Sequence, residues 1–205
     1  MNLNIQLIII CGPSGSGKTT LSQAILKKSK DGIILNTDNY YKTDLKSKIL
    51  SEILPSFFDR KISFNSELFI KDLKFILKNG FSAFYYKYNF KSKSITKIYK
   101  KTQNIKFIIV EGIFGQEVFN YISSKRFFLV KLKANKETCM RRVIRRDFKE
   151  RGKTKNLAKR EFLKAWDIYY KNISKNYSRN FLKKIIFRNK SDLNFLLKEI
   201  SNIVN

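Results

Sequence analysis

The most constraining feature of the sequence is a glycine-rich turn between an apolar run and a helical pattern, IIICGPSGSGKTTLSQAI, residues 8–25. Gly12, Gly15 and Gly17 can adopt backbone angles that other residues avoid, so the turn can curl with its N–H groups directed inward. The helix that follows adds the positive end of its dipole at the same place. This turn is therefore predicted to bind phosphate.

The spacing of the turn is that of a nucleotide-binding loop. Gly12-x-x-x-x-Gly17-Lys18-Thr19 matches the Walker A motif in full, in which the lysine reaches the β- and γ-phosphates and the hydroxyl is placed to hold Mg²⁺. A β-branched run precedes it and apolar residues at helical spacing follow, which is the context that the motif requires. We predict a site for ATP or GTP with Mg²⁺, formed by Gly12, Ser14, Gly15, Ser16, Gly17, Lys18, Thr19 and Thr20.

Short apolar runs alternate with helical patterns along the rest of the chain. Strands are expected at residues 33–35, 106–110, 127–132 and 185–187, and helices near 68–79, 136–150, 162–169 and 192–204. Two aromatic-rich segments, 81–90 and 93–99, are expected to pair as a hairpin. The alternation predicts an α/β fold of the P-loop NTPase class, with a mainly parallel sheet, helices on both faces and ligands at the carboxyl ends of the strands.

The absence of histidine narrows the chemistry, because any proton acceptor must then be a carboxylate, lysine, tyrosine or cysteine. Asp38 and Glu111 each follow an apolar run, so both are expected at the sheet edge beside the glycine-rich turn. A hydroxyl that attacks a γ-phosphoryl group needs a carboxylate to orient it and accept its proton, and Asp38 is placed for this task. The alternative is a turn-forming aspartate that binds its own backbone.

The net charge of +27 has two interpretations. It can be the footprint of a nucleic-acid-binding ATPase, or a bias toward residues with A- and T-rich codons. The basic residues are scattered along the chain and no aromatic-interleaved basic strand is visible, so we expect nucleic acid not to be a specific partner. No apolar run reaches the length of a membrane span and no secretory signal is visible, so we expect a cytoplasmic protein.

Four segments occur in an order that resembles a known enzyme family. They are DNYYK (38–42), FDRKISFNSELF (58–69), IVEGIF (109–114) and RRVIRRDFKERGK (141–153). These segments are similar, respectively, to the D-S-(F/Y)-Y, F-D-H-P-D-A-F-D-x-x-L, V-x-x-E-G-I and R-R-x-x-R-D-x-x-E-R-G-R patterns of the uridine kinase (uridine–cytidine kinase) family. The likeness covers nearly the whole chain.

The resemblance implies a role for each matching residue on the acceptor side. Asp38 is the general base, Tyr41 lies at the nucleoside site and Asp59 binds the ribose hydroxyls. Glu111 helps, with Thr19, to hold Mg²⁺. The tyrosine has a second interpretation as an ordinary core aromatic.

The resemblance also implies that cationic side chains close over the phosphates. Arg146 acts in transfer together with Lys18, and Arg151 and Lys153 contact ATP. Arg142 lies four residues before Arg146 on the same helical face and is predicted to contact the substrate. The alternative is a solvated basic face with salt bridges to Asp147 and Glu150. Lys153 replaces an arginine of the family, so the planar bidentate fork is lost.

The segment YNFKSKS departs from the family pattern Y-D-F-x-x-H-S. Tyr88 matches and is predicted to contact the substrate, unless it is a core aromatic, but Asn89 replaces an aspartate. Lys93 stands where the family has the histidine that reads the base. A lysine only donates, so it suits the uracil O4 atom and repels the cytosine amino group, which predicts a preference for uridine. Lys93 would also suit an acceptor that already carries an anion.

Together with the resemblance, these observations predict an ATP-dependent kinase for the 5′-hydroxyl of a pyrimidine nucleoside, with uridine as the first acceptor and cytidine as the second, acting in pyrimidine salvage. Alternatives are a P-loop kinase for another small alcohol, such as nicotinamide riboside, pantothenate or a sugar phosphate, and a nucleic-acid-stimulated ATPase. We expect one domain over residues 1–205, with a nucleoside-binding insertion at about 55–100 and a lid at about 145–160. Whether the chain forms a homo-oligomer is left open.

Overall fold

The structure, a computed structural model, describes residues 5–29, 31–120, 127–173, 181–187 and 192–204. In chain order the elements are β1 (Gln6–Cys11), α1 (Lys18–Lys28), β2 (Gly32–Asn36), α2 (Leu45–Ile53), α3 (Ser66–Asn79), β3 (Ser82–Asn89), β4 (Ser94–Thr102), β5 (Phe107–Glu111), β6 (Phe127–Leu132), α4 (Lys136–Glu150), α5 (Lys155–Ile168), β7 (Phe181–Phe187) and α6 (Asp192–Val204). The strands and helices expected from the apolar runs are therefore present, and their order alternates as predicted.

The main sheet is parallel and has the strand order β2-β5-β1-β6-β7. Side chains along β1 alternate between its two faces, as strand geometry requires. Leu7 and Ile9 belong to the core beneath α3, whereas Ile8 and Ile10 pack with α1 and α6. Both faces of β1 are thus buried, which explains why its sequence is continuously apolar. The predicted α/β fold with helices on both faces is confirmed.

The aromatic-rich segments form an antiparallel hairpin of β3 and β4, separate from the main sheet. Alternate residues of β3 face the core, and Tyr88 is 6% exposed while Lys87 on the opposite face is exposed. The backbone N–H of Tyr88 donates to the Asn39 side-chain oxygen at 3.1 Å. This bond fastens the hairpin to the turn that follows β2.

The sequence analysis predicted no helix at α2, although Leu45, Ile49 and Ile53 recur at helical spacing. Asp44 caps its first turn by accepting the Ser47 N–H at 2.9 Å. Leu45 and Ile53 are largely exposed, so this short helix buries little of its apolar surface and its periodicity does not mark a core face. None of the helices in the described part of the chain is long and apolar enough to cross a membrane.

Candidate active site

The glycine-rich turn after β1 packs against helix α4. Gly15 has φ +80°, and a Cβ atom there would lie 2.6 Å from the carbonyl oxygen of Cys139. The Lys18 ammonium donates to the carbonyl oxygens of Gly12 and Pro13, both at 3.0 Å. Burial lowers the pKa of Lys18, and the charges of nearby carboxylates, Glu111 foremost, oppose this shift. The turn thus holds a buried cation at the amino end of α1.

Glu111 ends β5 beside the end of β2, and its carboxylate accepts hydrogen bonds from neighbouring polar groups. Its Oε1 atom accepts hydrogen bonds from the Thr19 hydroxyl at 2.9 Å and from the Asn36 amide at 2.6 Å. Burial, followed by the charge of Asp38, raises the pKa of Glu111 to about 7, against the effects of Lys18 and these two hydrogen bonds. A hydroxyl and a carboxylate in direct contact are hard oxygen donors of the kind that Mg²⁺ takes, so Thr19 and Glu111 fit the predicted metal.

Asp38 lies in a short 3₁₀ turn, Thr37–Asn39, that begins where β2 ends. Its backbone N–H donates to the Asn36 side-chain oxygen at 2.7 Å. Its Oδ1 atom is buried and has no hydrogen-bond partner among the described residues. An unpaired buried carboxylate oxygen is costly, and its position at the sheet edge suits a group that accepts a proton from a bound hydroxyl.

Gly112 allows the turn of Asp38 to approach the end of β5. Its φ is +129°, and an added Cβ atom would lie 1.9 Å from the Thr37 hydroxyl and 3.4 Å from Asp38 Oδ1. Only glycine combines this backbone angle with so close an approach. The glycine that follows Glu111 in the sequence therefore has a direct role in bringing the two carboxylates together.

Two cavities meet at Asp38. The smaller, of about 220 Å³, is lined by the glycine-rich turn together with Lys18, Thr19 and Glu111. The larger, of about 600 Å³, extends toward α2, the β3–β4 hairpin and helices α4 and α5. Asp38 and Arg146 line both cavities. A group held between these two side chains would be reached from either cavity.

One wall of the larger cavity borders a cluster of four rings, Tyr41, Phe58, Tyr88 and Phe90, which we call the aromatic cluster. Every pair of rings in it has a centroid separation between 5.0 and 5.9 Å, with steep interplanar angles. Such edge-to-face packing is favourable for aromatic side chains. Burial raises the pKa of Tyr41 well above its ordinary value. The cluster therefore supplies a rigid, neutral surface.

Asp59 lines the larger cavity together with Asp38. Burial, and next the charge of Asp38, raises the pKa of Asp59 to about 7. The charges of Arg151, Lys153 and Arg146 act in the opposite direction, in that order. Two carboxylates and a group of cations therefore face one cleft.

Asp147 forms salt bridges with three cationic side chains that line this cleft. Its carboxylate is 4% exposed and lies 2.7 Å from an Arg146 nitrogen and 3.5 Å from both Arg151 Nε and Lys153 Nζ. The Lys153 ammonium also pairs with Glu161 of α5. The sequence analysis treated salt bridges to Asp147 only as an alternative to a phosphate-binding role, whereas the structure shows ion pairs and a cleft-lining position for the same side chains.

The remaining predicted residues divide between the two cavities. Arg142 lines the smaller cavity and donates to the Gly15 carbonyl oxygen at 3.2 Å, on the side of the glycine-rich turn. Arg151 and Lys153, predicted for ATP, line the larger cavity, as does Lys93. Lys93 pairs with Glu52 of α2. The substrate role of Arg142 and the ATP roles of Arg151 and Lys153 stay predictions.

Several residues that shape the site were not selected from the sequence. Asn36 contacts both Glu111 and the turn of Asp38, and its only signal was its place at the end of a predicted strand. Phe58 and Phe90 lie next to or near residues that the motifs did select, but nothing in the sequence showed that they meet. Asn89 accepts the N–H groups of two residues of the hairpin turn, which gives it a local structural role.

Comparisons with known proteins agree on a family. Residues 7–184 match the Phosphoribulokinase / Uridine kinase family. Uridine kinases from Leuconostoc citreum and Staphylococcus aureus are each 32% identical to this chain over 160 residues, covering 75% and 77% of this chain and 74% and 75% of theirs. A solved structure of a possible uridine kinase from Bacillus stearothermophilus has a TM-score of 0.54 at 17% identity, covering 90% of this chain and 89% of that one. The last likeness shows the fold alone.

Proposed function

Because the chain belongs to the Phosphoribulokinase / Uridine kinase family and is an ATP-dependent phosphotransferase, we propose that it phosphorylates the 5′-hydroxyl of a pyrimidine nucleoside. Uridine is the proposed acceptor, with cytidine a weaker one, and MgATP the donor. The product is the nucleoside monophosphate, which places the reaction in pyrimidine salvage in the cytoplasm.

The observation that carries this proposal is the position of Asp38 and Arg146 on the walls of both cavities. In-line transfer needs the attacking oxygen and the terminal phosphoryl group on one line, held at the junction of two binding sites. The smaller cavity has the residues of a triphosphate site and the larger has room for a nucleoside. The family to which the chain belongs supports this division.

The side chains at the junction divide the work of transfer. Asp38 orients the 5′-hydroxyl and accepts its proton. The proton goes to the Oδ1 atom, which has no hydrogen-bond partner among the described residues. Lys18 and Arg146 stabilise the negative charge of the phosphoryl oxygens. Thr19 and Glu111 would hold Mg²⁺, which would supply neutralisation of phosphate charge. Asn36 keeps Glu111 and the turn of Asp38 in register through its two hydrogen bonds.

The larger cavity supports a neutral acceptor. Asp38 and Asp59 both line it and can accept hydrogen bonds from hydroxyl groups, while the cations Arg146, Arg151 and Lys153 of the same cavity are paired with Asp147. Lys93, which alone would suit an anion, is paired with Glu52. The aromatic cluster offers ring surfaces against which a base can pack, and Asp59 can accept hydrogen bonds from two ribose hydroxyls. A volume of about 600 Å³ suits a small-molecule site.

A second acceptor class remains in the proposal because the base-reading segment departs from the family. Lys93 stands where the family has a histidine, and the Asn89 side chain accepts a hydrogen bond from a backbone N–H of the hairpin turn. A P-loop kinase for another small alcohol would keep the donor site and Asp38 unchanged. A nucleic-acid-stimulated ATPase is supported only by the net charge of +27.

The test is an ADP-release screen with MgATP and MgGTP over nucleosides, nicotinamide riboside, pantothenate and sugar phosphates, each with and without added RNA. We expect uridine to give the highest kcat/KM, and the product to be the 5′-monophosphate by mass spectrometry and nuclear magnetic resonance. A higher kcat/KM for a non-nucleoside alcohol would replace the proposed acceptor. ATP hydrolysis that depends on RNA and transfers nothing to a small molecule would refute a kinase of this kind.

A further inference from the structure

Arg151 lies between the two halves of the site. Its guanidinium carbon is 3.6 Å from the centroid of the Phe90 ring, and its Nε atom is 3.5 Å from the Asp147 carboxylate. Its backbone N–H also donates to the Asp147 carbonyl oxygen at 3.1 Å. The Arg151 side chain is 16% exposed, whereas Phe90 is only partly buried and lines the larger cavity.

The contacts continue in both directions. On one side Phe90 belongs to the aromatic cluster that borders the acceptor cavity. On the other side Asp147 forms a salt bridge with Arg146, which lines the smaller cavity as well as the larger one. Arg151 and Asp59 both line the larger cavity, so this arginine lies on the same side of the site as the proposed ribose-binding group. The aromatic cluster and the smaller cavity are thus joined by a continuous series of contacts, which runs from Phe90 through Arg151 and Asp147 to Arg146.

We propose that Phe90 and Asp147 are positioning residues that fix Arg151, and that through them occupation of the acceptor cavity strengthens binding of the nucleotide donor. This inference rests on the proposed function, since it requires a nucleoside in the larger cavity. It assigns to Phe90 a role beyond packing against a base.

The physical basis is the dependence of cation–π attraction on solvent. A nucleoside bound against the aromatic cluster removes water from Phe90 and restricts the ring, which strengthens its attraction for the Arg151 guanidinium. Arg151 and Arg146 share the Asp147 carboxylate, so holding one in place limits the arrangements open to the other. By thermodynamic linkage the donor must then increase acceptor affinity by the same factor.

The experiment measures the dissociation constant of a non-hydrolysable ATP analogue with Mg²⁺ by calorimetry, without uridine and with saturating uridine. The ratio of the two constants is the coupling factor. We expect about fivefold or more for the wild-type chain, the lower end of common coupling factors. Phe90→Leu should bring the factor to within about twofold of no coupling, and Phe90→Tyr, which keeps a ring face, should retain it.

Two further variants separate coupling from packing. Phe58→Leu removes another ring from the same cluster, and it should weaken uridine binding while the coupling factor stays at the wild-type value. Arg151→Gln should abolish coupling without disturbing the cluster, and it tests the inference even where Phe90→Leu fails to fold. Adding Phe90→Leu to Arg151→Gln should change the factor no further, because the two act through one contact.

The outcomes distinguish this inference from the proposed function. Wild-type coupling in both Phe90→Leu and Arg151→Gln would overturn the inference and leave a uridine kinase intact. Loss of coupling in Phe58→Leu to the same extent as in Phe90→Leu would also overturn it, since general packing would then be the cause. A wild-type chain that binds the ATP analogue but neither uridine nor cytidine would refute the proposed function and the inference with it.

Discussion

The proposed donor side and the proposed acceptor side of the cleft are built in different ways. The donor side is a compact polar site in which Glu111 accepts hydrogen bonds from Thr19 and Asn36 at 2.9 and 2.6 Å, and Lys18 donates to the Gly12 carbonyl oxygen at 3.0 Å. The acceptor side is a cluster of aromatic rings and ion pairs from separate segments, centred on Asp59 and Asp147.

The difference shows where a kinase of this family can vary. The donor network depends on parallel strand register, since Asn36 and Glu111 are direct neighbours on β2 and β5, and any change there disturbs the sheet itself. The acceptor wall depends on a hairpin and a short helix outside the main sheet. Substitutions at Lys93 and Asn89 can therefore change the acceptor without changing the chemistry of transfer.

The largest expected effect is at the residue that both sides share. Asp38→Asn removes the proton acceptor, and we expect kcat to fall by about 10²–10⁴-fold, the usual contribution of general-base catalysis. Binding of an ATP analogue should stay within about twofold of wild type, which is measured by calorimetry.

Asp31→Asn serves as the matched control for that variant, because Asp31 is an exposed aspartate paired only with Lys106 among the contacts described. It should leave kcat unchanged. Turnover by Asp38→Asn close to that of Asp31→Asn would show that Asp38 is merely a turn residue.

The next effect tests how closely the two carboxylate-bearing segments approach each other. In Gly112→Ala the new Cβ atom overlaps the Thr37 hydroxyl and the backbone is strained, so we expect the free energy of unfolding to fall by about 2–3 kcal/mol. Urea denaturation measures this. Gly17→Ala has a similar positive φ but no neighbour within 4 Å, and should cost only about 1–2 kcal/mol. Equal losses would mean that close approach at Gly112 is unimportant.

A change confined to the acceptor side should separate KM from kcat. Asp59→Ala removes a charged hydrogen-bond acceptor for ribose, so KM for uridine should rise by about tenfold while KM for ATP changes little. Initial-rate kinetics with each substrate varied in turn measure both constants. A rise limited to the KM for ATP would place Asp59 on the donor side.

The raised pKa of Asp59 gives this residue a pH signature. With a pKa of about 7, its carboxylate becomes ionised as pH rises from about 6 to about 8, so KM for uridine should fall over that range and stay flat in Asp59→Asn. Rising pH should favour uridine binding through Asp59 but lower the free energy of unfolding. The native side chain holds its proton above the ordinary pKa of 3.8, so wild type should lose stability relative to Asp59→Asn as pH rises from about 4 to about 7.

The smallest effect concerns the choice of base. If the Lys93 ammonium donates to the base, uridine should exceed cytidine in kcat/KM by about fivefold, the value of one hydrogen bond. Lys93→Gln should reduce this ratio, because an amide both donates and accepts. Comparable kcat/KM values for the two nucleosides in the wild-type chain would exclude this role for Lys93.

Most of the fold could be predicted because its signals are local. Continuous apolar runs predicted the buried parallel strands. The arginine-rich segment at 136–150 predicted α4 with both of its bounds. Helix α2 was missed because its helically spaced apolar residues lie in a short stretch that was interpreted as a polar connection. The main features of the donor site were also predictable, since the Walker A spacing specifies the turn, the cation and the hydroxyl within eight residues.

The sequence alone determined a glycine-rich turn, the buried strands and a carboxylate at the end of the second strand, because the signal for each lies within a few residues. Only the tertiary structure decided that Asn36 spans Glu111 and the turn of Asp38, that Phe90 supports Arg151, and that Asp147 gathers three cations. Those contacts join residues far apart in the chain, or depend on which way a helical face is turned. Spacing in the sequence records neither, because packing determines both.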